Sequence, residues 1–86
     1  MVKGIYRPEY ETLTQLIRQM RANAGMTQSQ CSEALGRPQS FMSDVENGSR
    51  RLDLVQIRDL CAVLGTDLPT FVRTYESLLA GSEQDR

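Results

Sequence analysis

The chain has 86 residues, enough for one hydrophobic core but not two, because a chain this small buries only about 60 to 65 per cent of its unfolded surface. Its composition, 40% apolar and 24% charged with no Trp, excludes a fibrous or disordered protein and fits a globular domain. A net charge of −1 argues by itself against a polyanionic partner, and the lack of any His removes the commonest metal ligand and acid/base group.

Residues 1–8 precede any helical periodicity and read as an N-terminal arm. The arm either packs Ile5 and Tyr6 on a dimer or on the helix bundle, which is the expectation, or brings Lys3 and Arg7 to a polyanionic partner. Leu13, Leu16, Ile17 and Met20 then recur at the spacing of one helical face. Pro8 and Glu9 suit the opening turn of this first helix, and Gly25 suits its left-handed stop. Thr27-Gln-Ser-Gln30 is a capping box, in which the Thr27 hydroxyl and the Gln30 amide satisfy each other's orphan backbone N–H groups, worth about 1 kcal/mol. The short second helix that follows has Cys31, Ala34 and Leu35 as its apolar face and ends at Gly36.

Arg37-Pro38 discourages continuation and favours a new start, so two helices meet at a sharp corner. The third helix is predicted from about Pro38 to Asn47, with Met42 and Val45 inward, and Asn47-Gly48 stops it. Ser49, Arg50 and Arg51 form a positive loop. Asp53 caps a fourth helix bearing Leu54, Ile57, Leu60, Cys61 and Leu64, and Gly65 closes it. A fifth begins near Asp67 and Pro69 and carries Phe71, Val72, Tyr75, Leu78 and Leu79, leaving residues 80–86 as a flexible tail. With no strand alternation, the reading is an all-α domain of five helices within residues 9–79.

The charge is unevenly spread. Between residues 18 and 51 five arginines (Arg18, Arg21, Arg37, Arg50, Arg51) face three carboxylates (Glu33, Asp44, Glu46), a net of +2. From Leu52 onward three arginines face six carboxylates, a net of −3. One face is thus suited to an anion while the other turns from it. No apolar run has the roughly 18 residues of a membrane span, and no secretory signal opens the chain, so a cytoplasmic protein without membrane contact is expected. Cys31 and Cys61 belong to no CxxC pair and lie on apolar faces, which predicts inert buried thiols and neither zinc site nor disulfide. No nucleophile has a credible base beside it, and no phosphate loop is present; no catalytic residue, cofactor or metal is assigned, and an enzyme is not expected.

Two short helices joined at a glycine corner, the second rich in small polar residues, form a helix-turn-helix pattern. The segment Gln28 to Gly36 followed by Gln39 to Gly48 resembles the Cro and lambda-repressor-like helix-turn-helix family, also called the xenobiotic-response-element (XRE) family. The likeness rests on Gln28, Gly36, Gln39, Met42, Ser43, Glu46 and Gly48, and extends from about Leu13 to Phe71. It implies a lambda-repressor-like fold, with helices 2 and 3 as the helix-turn-helix, and double-stranded DNA as partner of a transcriptional regulator.

Residue by residue, the resemblance implies that Gln28 donates to a phosphate and that Gln39 enters the major groove. There Gln39 can pair bidentately with adenine, for about 1 to 3 kcal/mol of discrimination. Ser40 and Ser43 reach base edges or phosphates, Asn47 touches the backbone, and Arg50 and Arg51 clamp phosphate. Asp44, where relatives often carry a cation, repels phosphate and accepts only from a cytosine amino group or a neighbouring Arg. Glu46 is expected to pair with an arginine of the first helix. One recognition helix reads few base pairs, so a homodimer on a palindromic operator is expected, with Phe71, Tyr75, Leu78 and Leu79 as its candidate interface. The competing reading is a protein-interaction module, or an antitoxin component with a toxin or another regulator as partner, keeping the fold with weak DNA binding.

Overall fold

The computed structural model describes residues 7–84, so the expected roles of Ile5, Tyr6 and Lys3 lie outside the described residues. Five helices follow in order: α1 (Pro8–Asn23), α2 (Gln28–Ala34), α3 (Phe41–Glu46), α4 (Leu54–Val63) and α5 (Leu68–Gln84). No strand occurs among the described residues. The all-α fold with five helices is as the sequence predicts.

Local chemistry sets the helix starts. Pro8 opens α1, with Glu9 and Glu11 in its first turn favouring the positive end of the helix dipole. Both capping boxes form: Thr27 Oγ1 accepts from the Gln30 N–H at 3.0 Å, and Asp53 Oδ1 from the Gln56 N–H at 2.8 Å. The Gln30 and Gln56 side chains return a bond to the cap residue's own N–H in each case. Asp67 Oδ1 accepts from the Thr70 N–H at 2.9 Å and so caps the start of α5.

The decisive stop is Gly36, whose φ of +70° lets α2 turn back on itself. The Gly36 N–H then donates to Glu33 C=O, and the Arg37 N–H to Ser32 C=O at 3.0 Å. After this corner α3 starts later than the sequence suggests. The Pro38 C=O accepts from the Phe41 N–H at 2.9 Å, making a tight turn of residues 38–41, and Gln39 and Ser40 sit in it ahead of the helix.

The core joins Leu16 and Ile17 of α1, Cys31 of α2, Phe41, Met42 and Val45 of α3, Leu60 and Cys61 of α4, and Phe71 of α5. Both thiols are buried, and burial pushes their pKa values up, as expected for inert cysteines. One fully buried polar side chain, Ser32, accepts from the Met42 N–H at 2.9 Å through Oγ. α2 thereby satisfies an orphan N–H in the first turn of α3, which Ser40 does not cap.

Four expectations need correction. Ala34 is exposed; the buried residues of α2 are Cys31 and Ser32. Leu54, at the first turn of α4, is 64% exposed, while Leu52 before it and Ile57 after it pack against the core. Val72 is 43% exposed on the outer side of α5. The tail predicted from residue 80 is helical as far as Gln84, since a mid-helix glycine such as Gly81 costs only about 1 kcal/mol.

Candidate nucleic-acid interface

The α2–α3 corner displays a shallow open groove lined by Gln28, Ser29, Gln39, Ser40 and Ser43. Gln39, Ser40 and Ser29 are exposed; Gln28 and Ser43 are half-buried. Gln39 Nε2 donates to Ser29 Oγ at 3.0 Å, which holds the amide over the start of α2. Four of the sequence-predicted residues therefore share one surface.

Beneath the groove lies Glu46, the last residue of α3 and only 3% exposed. Arg21 meets it as a fork, with Nε on Oε2 at 2.6 Å and Nη2 on Oε1 at 3.0 Å. Arg18 Nη2 donates to the Glu46 backbone carbonyl at 3.1 Å. Burial by itself would raise the Glu46 pKa. Hydrogen bonds from Arg21 and Gln28 and the charges of Arg21 and Arg18 outweigh that and hold it below the ordinary carboxylate value. The expected pairing with the first helix is present, and it keeps a carboxylate off the exposed face.

The same cluster changes the expectation for Gln28. Its Nε2 donates to Glu46 Oε1 at 3.0 Å, so one N–H of the amide faces inward, because the buried carboxylate is the stronger acceptor. Asn47 also has structural work to do: its Oδ1 accepts from the Ser49 N–H at 2.8 Å and shapes the turn after α3. Asn47, Arg50 and Arg51 line a separate cavity of about 290 Å³ between α1 and the α3–α4 loop, and Asp44 borders neither surface.

Arg50 and Arg51 are held in place by rings. The Arg50 guanidinium lies 5.1 Å from the centroid of Phe41, and Arg51 lies 4.3 Å from that of Tyr10. Arg37 sits over the same Phe41 ring at 5.4 Å, so two cations flank the beginning of α3. Sequence reasoning passed over Arg37, Phe41, Tyr10 and Ser29 as site residues. The first two have a local signal, a cation four positions before an aromatic residue across a helix start; Ser29 and Tyr10 have none, since their partners are set by the corner and by tertiary packing.

The candidate dimer residues separate. Phe71 is 3% exposed and belongs to the core, so it is withdrawn from the interface set. Tyr75 is half-buried and its hydroxyl donates to the Glu9 C=O at 3.0 Å, tying α5 to α1. Leu79 is half-buried, and Leu78 is 45% exposed. Sequence reasoning missed Val55, which is 68% exposed beside Leu54. No helix among the described residues is long and apolar enough to cross a membrane.

An all-α bundle with a glycine corner between α2 and α3, an outward polar face on the second of them and a buried Glu–Arg tie behind it defines a helix-turn-helix domain. Residues 12–71 match the helix-turn-helix domain family. An XRE-family like protein from Pseudomonas syringae pv. tomato str. DC3000 is 39% identical with a TM-score of 0.78, over 87% of this chain and 92% of that one. The chain belongs to the XRE/Cro-like helix-turn-helix family of DNA-binding transcription regulators.

More distant structures share the fold. The wild-type restriction-modification controller protein C.Esp1396I is 18% identical with a TM-score of 0.77, over 86% of this chain and 97% of that one. The clp gene regulator ClgR from Corynebacterium glutamicum is 21% identical with a TM-score of 0.74, over 92% and 86%. No curated protein matches the chain.

Proposed function

We propose that this protein is a sequence-specific double-stranded-DNA-binding regulator that represses its own operon as a dimer on a palindromic operator. The observation that carries the reading is the set formed by the exposed Gln39 and Ser40 and the half-buried Ser43 at the α2–α3 corner, with the Glu46 carboxylate withdrawn beneath it. Neutral hydrogen-bonding groups at the tip of a helix suit base edges in a major groove. Arg37 and Arg50, over the Phe41 ring at that tip, and Arg51, over the Tyr10 ring of α1, suit the flanking phosphates. The overall charge of −1 does not oppose this, because the acidic excess lies from Leu52 onward.

Leu78 and Val72, both exposed on α5 but about 120° apart around it, are the apolar groups offered to a second copy. Two copies would present their α3 helices to half-sites about 34 to 36 Å apart. A gel-shift titration of the protein against its own upstream region, across a salt series, tests the proposal. Specific retention that Gln39→Ala abolishes is expected, and indifference of the wild-type chain to DNA sequence overturns it. Sedimentation of V72D/L78D tests the assembly: a folded monomer is expected, and an unchanged dimer removes α5 as the interface.

A further inference from the structure

We infer that Ser29 is a positioning residue for base reading: it holds the Gln39 amide in place at the α2–α3 corner and thereby sets the sharpness of recognition at one base pair. The inference rests on the DNA-reading role of Gln39 proposed above.

A glutamine amide recognises adenine through two adjacent groups, its carbonyl oxygen accepting from N6 and one N–H donating to N7. The amide rotates about its terminal bond with little preference, because that torsion has broad wells. An exposed, unrestrained glutamine therefore reaches the groove as a mixture of orientations, and ordering it reduces the discrimination it delivers. Gln39 is exposed and stands in the turn before α3. What restrains it is Ser29 Oγ, 3.0 Å from Nε2. A hydroxyl can accept from the amide N–H or donate to the amide oxygen, so it holds the amide in place over α2 and narrows its rotation, while the base selects which group faces it.

With Oγ accepting, that bond uses one of the two N–H groups and leaves Oε1 and the second N–H for a base edge. Ser29 lies in the first turn of α2, whose backbone is fixed by the Thr27 capping box, so the anchor itself does not drift. Ser29 is exposed, and its hydroxyl has no other partner among the described hydrogen bonds. Removing it leaves no buried group unsatisfied, and Ala is the best helix former, so Ser29→Ala retains the fold.

The probe is a duplex library with a randomised 20-base-pair centre. It is selected first with the wild-type chain, and every single-base change of the enriched sequence is then titrated with wild type, Q39A, S29A and S29T. The expected result is that Q39A erases the preference at one base pair per half-site. S29A should reduce that preference about three- to tenfold, the scale of one neutral hydrogen bond. It should leave the other positions and the slope of affinity against salt unchanged, and S29T should restore the preference. A wild-type preference in S29A, or an even weakening at all positions, overturns the role of Ser29 while Q39A still supports base reading. A library from which the wild-type chain enriches no sequence, or a Q39A variant with full preference, overturns the reading of Gln39 and this inference with it.

Discussion

Replacing Glu46 by Ala tests the architecture behind the recognition face. The carboxylate side chain is 1% exposed and that of Arg21 14%, so the pair is effectively shielded from water. In the variant the Arg21 guanidinium keeps one acceptor, the Met26 C=O at 2.7 Å, and the Gln28 amide loses its inward partner. Arg18 is 55% exposed and contributes little to the balance. Breaking a buried ion pair from one side costs about 3 to 5 kcal/mol, and the remaining carbonyl favours the lower end, about 3 kcal/mol. For a domain of this size that is a fall in Tm of about 12 to 24 °C.

Urea unfolding followed by helical circular dichroism, with the slope held common, measures the loss. The companion variant R21M/E46L removes both charges and fills the space with apolar groups. It is expected to be more stable than E46A, because no uncompensated guanidinium remains. A loss below about 1 kcal/mol in E46A, or a double variant no better than E46A, refutes the claim that this tie holds α3 to α1.

Three further outcomes follow from the same contacts. Because the folded-state pKa of Glu46 lies below its ordinary 4.5, the stability it contributes is present above that pH and is lost as pH falls through the folded value. E46Q should therefore flatten the acid limb of a stability-versus-pH curve. Ser32→Ala leaves the buried Met42 N–H without a partner and should cost about 1 to 3 kcal/mol in urea unfolding, unlike S40A, which should cost almost nothing. Arg50→Ala, if Arg50 meets one phosphate, should lower DNA affinity for all sequences and reduce the slope of log affinity against log salt by about 0.9 in a gel-shift salt series.

The helices were legible because their periodicity and punctuation agree: Thr27 with Gln30, Asp53 with Gln56, and glycine after each of the first four helices. The start of α3 was not, because Pro38 supports either a helical first turn or the separate turn it makes here. The apolar face of α5 was legible as a stripe, but its division between core and solvent depends on how α1 crosses it. That crossing places Phe71 inside and ties down Tyr75 while leaving Leu78 outward. At the site, residue types announced Gln39, Ser40 and Ser43. The restraint from Ser29 and the inward turn of Gln28 arise from contacts ten and eighteen positions apart, which no local pattern encodes.

The Ser32 hydroxyl has a consequence for how such a domain can change over evolutionary time. With the opening amide of α3 satisfied from another helix, position 40 is released from any duty in folding. A side chain there can be exchanged for a longer, charged or apolar one without loosening the scaffold. If the corner reads DNA as proposed, new operator preferences are open to single substitutions at that position, with the rest of the protein left as it is.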